Sequence, residues 1–171
     1  MKTAMKLFAL GTILLGFGLN VNAQVSATAT TSATIVTPIA IKKNVDLVFG
    51  NVAVSPTLAG TVSMATTGTR TPTGGVTLPT TTGTVTAAEF EVTGATDYGF
   101  SISLPGSAIT LSDGAGHSMT VGSFVSTPSS TGTLTSGVAT VKVGGVLNVA
   151  ANQFAASYTN TTGLTVTVNY N

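Results

Sequence analysis

His117 is the only histidine of the chain, and it follows Asp113-Gly114-Ala115-Gly116. One imidazole and no cysteine cannot assemble a two-histidine zinc site, a thiolate site or a histidine relay. Asp113 and His117 could form a metal site or an acid–base pair. The plainer reading makes His117 a turn residue at the start of a strand. A calcium loop needs several oxygen side chains at fixed spacing and an acidic last ligand, which Asp113 lacks. Glu89 and Glu91 sit two apart on one strand face, roughly 7 Å from each other. That separation admits glycosidic chemistry. Acid and nucleophile usually come from different elements beside an aromatic platform, however, and the chain has no tryptophan. A solvated face paired with Arg70 or Lys142 is therefore expected for them.

Gly-x-Ser-x-Gly is absent, and any serine triad would have to recruit the single histidine. Arg70, the one guanidinium, could hold an anionic ligand or fasten its loop to Glu89, Glu91 or Asp97, and the second is favoured. Tyr98, Phe100, Phe124, Phe154, Tyr158 and Tyr170 could offer a sugar-stacking surface, although at strand spacing such residues more often belong to the core. Asn160-Thr161-Thr162 matches an N-glycosylation acceptor, which matters only on a eukaryotic secretory route. No catalytic, cofactor-binding or metal residue is assigned, no cofactor is expected, and the chain reads as non-enzymatic.

Residues 1–23 carry Lys2 and Lys6, an apolar run from position 7 to 19, and Val21-Asn22-Ala23 before a cleavage point, the pattern of a secretory signal peptide. The run is shorter than the ~20 residues needed to cross a bilayer, and no second run follows, so no transmembrane segment is expected in the mature chain. Without its leader the chain starts at Gln24, and its formal charge falls from +1 to −1. Charged residues are 6% of the sequence, against roughly 25% in ordinary soluble proteins. No basic patch exists to meet phosphates, which excludes nucleic-acid binding. A secreted or cell-surface location is expected.

The remaining chain alternates apolar with polar residues. In 164–170, Leu164, Val166, Val168 and Tyr170 share one face while Thr165, Thr167 and Asn169 share the other. Residues 24–32 read as an extended arm, and 33–171 as one β-sandwich domain. The expected strands cover 33–41 with Pro38, 46–54 with a bulge at Gly50, 60–65, 85–93, 98–104, 138–149 and 164–170. Lys42-Lys43-Asn44 is expected to break the chain, and 109–111 to form a hairpin with 119–125. Residues 66–83 read as turn-rich, with brief pairing at Val76 and Leu78, and 127–136 as a loop. Gly144-Gly145 predicts a bulge or tight turn. About ten short strands with turns between them predict an all-β, two-sheet antiparallel sandwich.

Several segments in order resemble a secreted bacterial family, the DUF4402 class. They are Phe49-Gly50 within 45–54, Gly60-Thr61-Val62, Gly68-Thr69-Arg70, Gly74-Gly75-Val76, the stretches 88–94 and 98–105, Val143-Gly144-Gly145-Val146 and the ending 158–170. Members of that class look like subunits of chaperone–usher pili of the spore-coat U type. The resemblance implies an immunoglobulin-like sandwich on the surface of a Gram-negative bacterium. It further implies self-assembly or other surface subunits as partners, together with a periplasmic chaperone. The implied mechanism is donor-strand addition, in which the arm 24–32, with Val25, Ala27 and Ala29 on one face, fills a groove of the next subunit. The expected function is thus a pilin-like structural subunit of the surface or of an extracellular fibre. The alternative is a monomeric adhesive or carbohydrate-binding surface module that uses loop 66–83 and exposed tyrosines.

Overall fold

The computed structural model describes residues 24–160 and 162–171; the signal peptide expected at 1–23 lies outside them. The chain divides into Met1–Thr34 and Ile35–Asn171. Of the first unit, residues 24–34 carry no strand or helix and are exposed throughout.

The second unit is all-β, with no helix among the described residues. Its strands are β1 Ala40–Val45, β2 Ala53–Val54, β3 Gly60–Met64, β4 Arg70–Gly74, β5 Val76–Thr77, β6 Ala88–Thr93, β7 Gly99–Ser103, β8 Ile109–Ser112, β9 Ser118–Thr127, β10 Thr131–Thr133, β11 Val138–Val149 and β12 Thr167–Tyr170. Every pairing is antiparallel, in a seven-stranded sheet, a three-stranded sheet β10-β7-β12 and a two-stranded ribbon β2-β5. The sheets pack as a β-sandwich.

β11 is the spine of the large sheet. Its first half pairs with β6 and its second half with β3, while β9 runs along its other edge and carries β8 outward. Alternation decides what is buried: Ala88, Phe90 and Val92 of β6 point inward, and Glu89, Glu91 and Thr93 do not. One core cluster joins these residues to Val141 and Val143 of β11 and to Phe100, Ile102, Leu134, Val166 and Val168. A second cluster holds Val62, Met64, Val121, Leu147 and Val149 under Phe49 and Val76. Leu47 and Phe124 pack against both.

The bulge expected at Gly144-Gly145 lies on the neighbouring strand. Gly144 pairs with Val125 and Val146 with Gly122, so β9 places Ser123 and Phe124 opposite the single residue Gly145. Ser123 takes a left-handed φ of 47° to make the bulge. The two glycines allow close approach instead: a Cβ on Gly144 would stand 2.1 Å from the Met64 carbonyl oxygen, and one on Gly145 would stand 3.0 Å from the Phe124 ring.

Other boundaries also move. Residues 42–44, expected to break the chain, lie inside β1: Lys42 pairs across the strands with Glu91, where opposite charges favour pairing, and the interruption is confined to a shift of register at Asn44, between Lys43 and Val45. Strand structure consequently begins at Ala40 rather than at 33. Residues 46–54 are not one strand: Val48 makes an isolated bridge to Thr86, and only β2 is regular. Gly50 there has φ 66° and would carry its Cβ 2.3 Å from the Thr82 carbonyl oxygen. The turn-rich stretch contains β4, whose Pro72 is tolerated because β4 pairs only with β3. The expected loop 127–136 contains β10, which pairs with β7. The predicted hairpin of β8 and β9 and the bounds of β11 are as expected.

Candidate functional site

Asp113 and His117 do come together, in the turn between β8 and β9. His117 Nδ1 donates to Asp113 Oδ2 at 2.5 Å, and the Asp113 side chain is 3% exposed. Burial pushes the Asp113 carboxyl up, but the His117 bond and the backbone N–H groups of Ala115 and His117 outweigh it and hold the carboxyl below its ordinary range. No third His, Cys, Asp or Glu joins the pair as a potential metal group among the described residues. Instead the imidazole stacks on Phe154, with ring centroids 4.3 Å apart and planes at 7°. The pair fastens one loop to another.

Glu89 and Glu91 lie on the outward face of β6, opposite Lys142 and Thr140 of β11. Lys142 Nζ is 3.6 Å from Glu89 Oε2, the solvated arrangement expected for them. Arg70 is structural, but with other partners than the carboxylates expected. Its Nη1 donates to the backbone carbonyls of Phe49 at 2.5 Å and Asn51 at 2.9 Å. None of the ion pairs among the described residues includes it.

The aromatic residues do not form one platform. Phe100 is fully buried, and Tyr98 meets Tyr170 edge-on at 5.6 Å. The Tyr170 hydroxyl accepts from Ala95 N–H and donates to the Thr37 carbonyl, which pins the segment entering β1. Tyr158 donates to the Phe154 carbonyl and accepts from Gln153 Nε2. Asn160 Nδ2 donates to the Thr110 carbonyl, while its Oδ1 accepts from the Thr162 hydroxyl and Gly163 N–H. Thr161, the middle of the acceptor motif, lies outside the described residues.

What these contacts build was not visible in the sequence. A cleft of about 1070 Å³ opens between the segment 45–54 and the segment 153–164. That is just above the roughly 300–1,000 Å³ range of small-molecule sites. Its floor is Val121, Leu147 and Val149 of the second core cluster, with Ile109, Leu111 and Met119 beside them. One wall pairs along a single edge, through the Val48–Thr86 bridge, the Asn51 N–H to the Thr82 carbonyl, and β2 to β5. Arg70 clamps that wall through Phe49 and Asn51. The opposite wall is held by the Ser112–Thr159 bridge, by Gln153 Nε2 on the Ser118 carbonyl, and by the His117–Phe154 stack. Only Lys43 and Asp46, paired at one end, bring charge to the lining. The cleft is suited to an extended apolar occupant that can use backbone hydrogen bonds.

Comparison with known proteins identifies the family. Its model, described as a domain of unknown function (DUF4402), matches residues 39–170, and the chain belongs to it. No curated protein and no solved structure matches the chain.

Proposed function

We propose that the chain is an exported, non-enzymatic structural protein, a pilin-like subunit that joins others at the cell surface by strand addition. The observation that carries the reading is a pair of complementary features in one molecule. Residues 24–34 are exposed, without regular structure and without charge, and the sandwich has an apolar cleft bordered by a segment paired on one edge only. Strand addition joins such parts: main-chain hydrogen bonds supply affinity, and alternate side chains fill pockets.

Support for the carbohydrate-binding alternative weakens, because Arg70 is spent on two backbone carbonyls and Tyr170 on the chain entry. The test is to shear surface material from producing cells and run it on a denaturing gel, unboiled and boiled, with detection of this chain. A ladder that collapses to one band on boiling is the expected result. A single monomer band in both lanes would overturn the proposal.

A further inference from the structure

Resting on that reading, we infer which surface accepts the strand and which residues it accepts: the cleft between 45–54 and 153–164 takes residues 24–35 of a second copy. Every odd position of that arm except Thr31 is apolar: Val25, Ala27, Ala29, Ala33 and Ile35. Every even position from 26 to 34 is serine or threonine. A period of two over this span is a strand with one dry and one wet face. The donor therefore continues beyond Ser32 to Ile35.

The two large side chains are left unsatisfied, with Ile35 98% and Val25 92% exposed. Between them the face is narrow, which suits a cleft whose floor is already filled by Val121, Leu147 and Val149. The arm brings no charged side chain to be desolvated on entry, and the charges of the lining, Lys43 and Asp46, are paired with each other at one end. Length also fits: twelve extended residues reach about 40 Å, more than the roughly 33 Å that the ten residues 45–54 could span at full extension. Contact between the arm of one copy and the cleft of the next is head-to-tail, and head-to-tail contacts propagate into filaments when they do not close.

The chain has no cysteine, so introduced thiols report without background. Full-length chains carrying Ala27→Cys, Ala29→Cys or Ala33→Cys are mixed with full-length chains carrying Val52→Cys or Leu164→Cys and oxidised. A disulfide needs Cα atoms roughly 4.4–6.8 Å apart. With one of the two chains carrying a mass tag, the mixed dimer on a non-reducing gel is resolved from the arm–arm and cleft–cleft homodimers, and it requires the arm of one copy seated against the cleft wall of another. At least one odd-position pairing is expected to cross-link, while Thr28→Cys and Thr30→Cys give little. Ile35→Asp, at a fully exposed position, is expected to leave the monomer folded and to lower polymer yield by about tenfold or more. If heat-sensitive ladders persist but no arm–cleft pair cross-links and Ile35→Asp has no effect, this assignment is wrong and strand addition stands at another surface. If no ladder forms at all, both fall together.

Discussion

Replacing Arg70 by methionine keeps most of the aliphatic stem and removes both donors to the wall of the cleft. The Phe49 carbonyl belongs to a residue 8% exposed, and its bond at 2.5 Å is counted in full. Asn51 is at the surface, where water can replace the donor, so the bond at 2.9 Å is discounted. With about 1.5–3 kcal/mol for a hydrogen bond to a charged group, the loss is about 2–3 kcal/mol. Urea unfolding followed by tyrosine fluorescence suits a chain without tryptophan. With an m-value of about 2 kcal/mol/M, the midpoint should fall by about 1–1.5 M at unchanged slope. Arg70→Lys, whose single ammonium can reach one or both carbonyls, should lie between the two. A fall of less than about 0.3 M for Arg70→Met would refute the clamp and return Arg70 to the pool of ligand-binding candidates.

Gly144→Ala sets a Cβ 2.1 Å from the Met64 carbonyl oxygen, a backbone atom on a strand paired with β11 that cannot move alone. A loss of about 3 kcal/mol, or roughly 6–12 °C in Tm, is expected; a Tm within about 2 °C of the parent would show that the sheet absorbs the change. Asp113 is held below its ordinary range, so its contribution to stability is present above the unfolded-state value and is lost as pH falls through the folded-state value. Acid titration of Tm should therefore show less loss below the ordinary carboxylate range in Asp113→Asn than in the parent, and parallel curves would remove the Asp113–His117 pair from the account.

The fold was largely legible because alternation is a local signal. Phe90 and Val92 inward with Glu89 and Glu91 outward could be read from four consecutive residues, and burial follows that order. Signals that depend on a partner strand were not legible. Gly144-Gly145 marked a special place, but which strand bulges there is decided by the register against Val125 and Gly122. The same holds for Lys42-Lys43-Asn44, read as a break until Glu91 is found opposite. Arg70 was expected to seek a carboxylate because side chains are what a sequence displays; its acceptors are backbone carbonyls, which every residue has. The cleft was invisible for a related reason: its walls, 45–54 and 153–164, are distant in sequence and share no pattern, and the stack of His117 on Phe154 joins two segments that each read as turn or loop.

Edges bear on why the cleft is the place for another chain. A sheet edge left open invites pairing, and proteins protect edges with charge, proline, shortness or cover. β1 carries Lys42 and Lys43, and β4 carries Pro72. β10 is three residues long, and β8 is covered by the bridge from Ser112 to Thr159 and by Asn160 on the Thr110 carbonyl. The wall of the cleft has no charge and no proline of its own from Leu47 to Val54, and Arg70, which holds its Phe49 and Asn51 carbonyls, is absent from the cleft lining. A chain with so few charges still places lysines at one edge and leaves this segment without a charged side chain of its own above an apolar floor. Protection on β1, β4, β8 and β10 and its lack on this segment confine pairing with another chain to few sites, of which the short edge strand β12, uncharged and paired only with β7, is the other.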